Sequence, residues 1–245
     1  MSGPAAYAGV VLYTLPGLFA GLMLHELSHA AIAVRCGDVA ARRDGRMSLD
    51  PRRQVDAVGV LTLLVAGFGW SQPIVFNAIL LRSRGGRAAV AAAGPLSHII
   101  MAAVFAVVLR VEQAASGIDI SGFATEAQTT AQGILLGVLL QGFFINIALF
   151  VFNALPLPGL DGYAVLRALL FPRLARAFSL LESHRLLVYA AAIAFAIAVP
   201  EATHGAVNPL AAMTLGVANV LFSHIVDPGV TPLFLGLPNI FMLLG

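Results

Sequence analysis

The 245-residue chain is 59% hydrophobic and only 11% charged, with a mean hydropathy of +0.91, whereas a soluble domain is about a quarter charged. These figures predict a polytopic membrane protein. A net charge of +2 is too small to build a nucleic-acid surface, and a single cysteine, Cys36, excludes an intrachain disulfide.

A helix needs about 20 mostly apolar residues to cross roughly 30 Å of hydrocarbon. In chain order, residues 8–34, 88–109, 130–152, 186–199 and 210–225 qualify. No basic stretch precedes the first, so a cleaved signal peptide is not expected. The fourth is short, and apolar residues 175–181 offer to extend it backwards. Residues 57–81 begin apolar but are interrupted by GFGWSQP and end in RSRGGR, the pattern of a re-entrant or shallow segment.

Arginine placement tests that choice. All fourteen basic residues are arginine: six in 35–53, three in 82–87, four in 167–185, and Arg110. If 57–81 does not cross, the three clusters share one side, and Glu112, Asp119 and Glu126 lie on the other. The positive-inside rule then makes the arginine side cytoplasmic. The expected fold is an all-α, multi-pass bundle of about five to six spans in a cell membrane. It forms one transmembrane domain over 1–245, with a core at 8–182 and further C-terminal segments at 183–245. In the first cytoplasmic loop, VAARRDGRMSLDP places Asp44-Gly45 between short alternating runs, which suits a short β-hairpin or a solvated basic loop. No internal repeat is evident, and no loop is long enough for an extramembrane domain of about 50 residues.

The chemistry begins in the first span, at LMLHELSHAAIAVRCGD. At 100° per residue, His25, Glu26 and His29 fall at roughly 0°, 100° and 40°, within one arc of the helix. Neutral imidazoles at i and i+4 can share a zinc ion, and the glutamate beside them can take a proton from water. An ionisable group at the centre of a spanning helix costs at least ~2.5 kcal/mol, so three of them require something that pairs them. A catalytic zinc generally has three protein ligands. The best third candidate is Asp161 in FNALPLPGLDGYAVL, where Pro156, Pro158 and Gly159 break the helix after a span and let the carboxylate turn back.

HELSH on an early span, followed by NALPLPGLDG at the end of a later one, resembles the site-2 protease family of intramembrane zinc metalloproteases. The intervening GDVAARRDGRMSLDPRRQVDAVG, FGWSQPIVFN and AAAGPLSH are similar to its compact prokaryotic branch. The resemblance covers residues 24–166. It implies one zinc ion per chain held by His25, His29 and Asp161, a catalytic Glu26, and transmembrane helices as substrates, cut near the cytoplasmic side. It also implies that Asn153 helps hold substrate or an oxyanion, and it matches Asn146 to a usually polar position; Asn153, Asn146 and His98 are the candidates for contacting substrate or the oxyanion.

One position departs. The branch usually has asparagine after AGPxx, where this chain has His98. His98 reads either as a hydrogen-bonding support for the metal site or, preferably, as a packing residue beside Gly94 and Pro95. His184, His204, His224 and Cys36 lie outside the metal motif and read as bystanders. A substrate could be held extended by adding a strand to a hairpin at 42–49 or to GWSQPIVF. Two other readings stay open: a non-peptidase membrane protein that binds zinc, and a protease relic that binds membrane helices. Composition and motifs do not fix the oligomeric state or the identity of the substrate.

Overall fold

The computed structural model describes residues 4–45, 47–54, 56–66, 81, 83–117, 130–171, 173–204 and 207–225. Regular structure among them is entirely helical: α1 Pro4–Arg35, α2 Ala40–Arg43, α3 Pro51–Gln54, α4 Ala57–Ala66, α5 Arg84–Ser116, α6 Ala131–Ala154, α7 Asp161–Leu170, α8 Ala175–Ser183, α9 Arg185–Ala202 and α10 Pro209–Ile225. Among the described residues, four stretches are long and apolar enough to cross a membrane: Val11–Arg35, Arg84–Ser116, Ala131–Ala154 and Arg185–Ala202. The chain is a membrane protein.

Local signals set the helix ends. Ser83 and Thr130 cap α5 and α6, their hydroxyls accepting from Gly86 N and Gly133 N. Gly117, with φ 69°, stops α5 in the left-handed region.

Helices α1, α5 and α6 pack on one another, and α10 lies against α5 and α6. Apolar side chains gain little by leaving lipid for one another, so small residues and polar bonds must favour the contact. Gly17 of α1 meets Gly142 of α6 so closely that a Cβ at residue 17 would overlap the Gly142 backbone. Further along, Leu136, Leu140, Phe143 and Ile147 of α6 meet Ala102, Ala106 and Leu109 of α5 and Phe222 of α10. The rings of Phe143 and Phe222 sit edge to face at 5.7 Å. Leu18, Leu22, Ile145 and Leu149 enclose Val60 and so hold α4 against α1 and α6.

Helices α7 and α8 are pinned together by Tyr163. Its ring stacks edge to face on Phe178 at 5.3 Å, and its hydroxyl reaches Phe178 O at 3.1 Å and Glu182 Oε1 at 3.2 Å. Burial and the Glu182 charge push the phenol pKa up, which keeps the hydroxyl a donor. Arg167 Nε closes the group at 3.2 Å from Glu182 Oε1.

The structure departs from the sequence expectations at several points. Helix α5 does not stop at residue 109 but runs to Ser116, because nothing breaks the backbone ladder before Gly117. Glu112 is therefore helical, accepting from Gln132 Nε2 of α6 at 3.2 Å. Residues 175–181 do not extend the fourth span: they belong to α8, and the chain turns at His184, with φ −111° and ψ 24°. The described part of 42–49 forms no strand. Ala40–Arg43 is a helical turn, started by Asp38 Oδ1 accepting from Ala40 N at 3.0 Å and ended by Gly45 at φ 68°. Arg46 lies outside the described residues. Helix α4 has ten residues, about 15 Å or half the hydrocarbon thickness. Residues 67–80 of the expected re-entrant segment, with GWSQPIVF, lie outside the described residues, as do Asp119 and Glu126.

Candidate metal centre

Gly17, Gly21, His25 and His29 follow one another at four-residue intervals on α1, so they share one face. The glycines bring that face close to α6, and the two histidines continue it deeper in the bundle. His25, Glu26 and His29 are all buried.

Asp161 reaches the same point from the far end of α6. Leu155 leaves the helix in an extended conformation, φ −62° and ψ 141°, as a residue before proline must. Gly159 takes φ 91°, a left-handed value that other residues adopt only with strain. Asp161 then opens α7, where the helix N-terminus favours a negative charge. Gly162 follows it so close to Ala154 O that a Cβ there would overlap the carbonyl. The turn is fixed further by the Tyr189 hydroxyl, which donates to Pro158 O.

The three side chains converge. His25 Nε2 lies 3.1 Å from His29 Nε2, and Asp161 Oδ2 lies 3.2 Å from the first and 3.3 Å from the second. Ligands about 2.0–2.2 Å from a tetrahedral zinc lie roughly 3.3–3.6 Å apart, so the triangle, 3.1 to 3.3 Å on its sides, comes within about 0.2 Å of the size a zinc ion needs. Two further observations favour a cation there. Asp161 Oδ2 is buried with no hydrogen-bond partner among the described residues. His29 Nδ1–H donates to Val90 O at 2.7 Å, so a neutral ring turns an unprotonated Nε2 toward the carboxylate. Among the described residues this is the one group of three histidine, cysteine or carboxylate side chains close enough to hold a metal ion.

Glu26 completes the centre from the same helix turn, with Oε1 4.0 Å from His25 Nε2. Gly94 of α5 forms the opposite wall: a Cβ there would lie 2.6 Å from His25 Cε1 and 2.7 Å from His29 Cε1. The space the rings occupy exists because residue 94 has no side chain. Sequence reasoning did not single out Gly94 or the Val90 carbonyl for the site, although a Gly-Pro pair inside a spanning helix was a visible signal for the first.

His98 and Asn146 lie behind His25 and are fully buried. His25 Nδ1 contacts His98 Nε2 at 3.1 Å, and His98 Nδ1 contacts Asn146 Oδ1 at 3.0 Å. His98 is thus more than the packing residue preferred from sequence. It bonds a histidine of the centre, and both it and Asn146 are fully buried. Asn153, on α6, donates its amide to Leu149 O at 2.9 Å. His184, His204 and His224 are exposed and join no such cluster.

Known proteins agree with this picture. The chain is 33% identical over 178 residues to YwhC of Bacillus subtilis, provisionally named a zinc metalloprotease; the match covers 72% of this chain and 78% of YwhC. It is 31% identical over 181 residues to Rip2 of Mycobacterium tuberculosis and 29% identical over 182 residues to Rip2 of Mycolicibacterium smegmatis, both provisionally named the same way. Those matches cover 72% of this chain and 64% of each relative. No protein-family model and no solved structure matches. With a relative this similar along more than three quarters of its length, and with two distant motifs folded to one point, the chain belongs to the site-2 protease family of zinc metalloproteases.

Proposed function

We propose that this protein is an intramembrane zinc metalloendopeptidase that hydrolyses transmembrane helices of other proteins near the cytoplasmic face. The observation that supports it most is the meeting of His25, His29 and Asp161 at 3.1 to 3.3 Å beside the Glu26 carboxylate. In this reading His25, His29 and Asp161 hold one zinc ion. When bound, zinc supplies Lewis acidity, polarising a peptide carbonyl and bringing the pKa of water down toward about 7. Glu26 takes the proton from the attacking water and later delivers it to the leaving amine. Asn153 has one amide N–H left after its bond to Leu149 O, and it turns that donor toward the oxyanion or the substrate backbone.

His29 and His25 lie six and ten residues before Arg35, which places the centre roughly 9 to 15 Å inside that end of the helix. The arginine-rich loops face the cytoplasm. Helix α10, an apolar helix of 17 residues, is the fifth crossing of a multi-pass fold. Residues 8–182 carry the catalytic core. A substrate helix conceals its carbonyls in its own hydrogen bonds, so it must unwind locally before it is cut. Glu26 favours catalysis over a metal carrier or an inactive helix-binding relic, since holding zinc does not call for it.

The test pairs bound zinc with cleavage of single-span substrates, in detergent-purified wild type and Glu26→Gln. Zinc in both and cleavage only by the wild type is the expected outcome. Cleavage that survives Glu26→Gln would refute the mechanism, and no zinc in the wild type would refute the metal reading.

A further inference from the structure

We propose that His98 is a positioning residue: bridged between Asn146 and His25, it selects the His25 tautomer whose Nε2 can bind a metal. The proposal rests on the metal reading above and adds a residue that the ligand motifs do not contain.

The direction of each hydrogen bond follows from the far end of the chain. Asn146 Nδ2 lies 3.1 Å from Gly17 O and 2.8 Å from Gly142 O. Both are carbonyl acceptors, so the nitrogen must face them and the amide cannot be flipped. Asn146 Oδ1 therefore points at His98 Nδ1, 3.0 Å away, and an amide oxygen only accepts. His98 must then carry its proton on Nδ1. The ring is fully buried and its bonded partners are His25 and Asn146, neither of them a carboxylate. A doubly protonated ring would be an unpaired charge inside the bundle, so the ring is neutral and its Nε2 is an acceptor.

That acceptor faces His25 Nδ1 at 3.1 Å. His25 satisfies it by holding its own proton on Nδ1, which leaves Nε2 with a lone pair directed at His29 Nε2 and Asp161 Oδ2. The competing tautomer would place the proton on Nε2, donate it to Asp161, and block the metal position. It would also set two nitrogen lone pairs against each other between His25 and His98. The two backbone carbonyls thus decide, through Asn146 and His98, where the proton of His25 resides. Gly21 closes the junction: a Cβ there would overlap Asn146 Oδ1 and come within 3.2 Å of His98 Nδ1.

The test uses the full-length protein in detergent as wild type, His98→Leu and His98→Gln. Leucine keeps the bulk and removes both polar atoms, while glutamine restores one donor and one acceptor. Zinc affinity is read by chelator competition, and the His25 tautomer by nitrogen NMR of the metal-free, ¹⁵N-histidine-labelled protein. Thermal unfolding of each metal-free form checks the fold. The expected result is a zinc affinity weakened about 10- to 100-fold in His98→Leu and restored to within a few fold in His98→Gln. The His25 proton moves from Nδ1 toward Nε2 in the leucine variant alone, and all three forms stay folded, the leucine variant being the least stable because Asn146 Oδ1 loses its partner. Wild-type affinity and an unmoved proton in His98→Leu would overturn the proposal. So would a glutamine variant as weak as the leucine one while equally folded. Failure of the wild type to bind zinc would instead sink the metal reading, and the NMR measurement would still decide whether His98 sets the tautomer.

Discussion

Replacing Gly94 by alanine tests the geometry of the centre with a single methyl group. The added Cβ would press first on the metal-facing His29 Nε2, and would lie 2.6 Å from His25 Cε1 and 2.7 Å from His29 Cε1, where ordinary contact begins at 3.4 Å. The overlap is therefore about 0.8 Å at the first carbon, and metal sites tolerate displacements of about 0.2 Å in ligand position. The obstructed atoms are the far ends of side chains, so the rings can swing aside and the bundle survives. Alanine even favours the helix, by up to ~1 kcal/mol over glycine. The expected outcome is zinc affinity reduced at least about 100-fold, or ~2.7 kcal/mol, with the metal-free protein unfolding at or slightly above the wild-type temperature. Gly85→Ala is the control, since its Cβ would meet nothing within 4 Å on the same helix. Chelator-competition titration and a thermal melt, run on both variants, suffice. Wild-type zinc affinity in Gly94→Ala would show that the imidazoles do not bind metal from the positions described.

Gly17→Ala should behave in the opposite way. Its Cβ meets the Gly142 backbone, which cannot swing aside, so α1 and α6 must separate, at about 1–3 kcal/mol; an unchanged unfolding temperature in detergent would contradict the packing. Asp161→Asn should weaken zinc binding by more than tenfold while Glu26→Gln leaves it near wild type, and equal losses in a chelator titration would remove the distinction between holding metal and moving protons. Tyr163→Phe should lower stability by about 1 kcal/mol through its lost hydrogen bond, with zinc content unchanged; lost zinc would mean that the α7–α8 contact positions Asp161. Chelation should abolish cleavage of a single-span substrate, and added zinc should restore it, while cleavage that persists in excess chelator would exclude a metal-dependent reaction.

The residues that were legible in sequence are those whose signal is local. HELSH declares itself because helical periodicity puts its two histidines and its glutamate on one arc of an apolar span, and Asp161 because prolines and a glycine break the chain just before it. His98 was visible as a departure, but its partners were not. It lies 73 residues from His25 and 48 from Asn146, and only the rotation of three packed helices decides which side chains meet. The hairpin, one of two readings of 42–49, is not seen among its described residues for a local reason: an Asp-Gly pair ends a helical turn as readily as it closes two strands. The extent of α5 was underestimated because apolarity marks where a helix meets lipid, whereas backbone hydrogen bonding decides where it stops. The break between α8 and α9 at His184 carries no proline or glycine that would have announced it.

The line of contacts from Gly17 and Gly142 through Asn146 and His98 to His25 crosses α1, α6 and α5 in the middle of the bundle. Lipid competes on equal terms with every leucine in such an interface, but it cannot replace an amide that bridges two helices. The atoms that prepare the centre are therefore among those that hold the three helices in register. Within this line of contacts, a substitution that moves the proton of His25 also removes a contact between helices, and one that tightens the helices must keep that proton in its place.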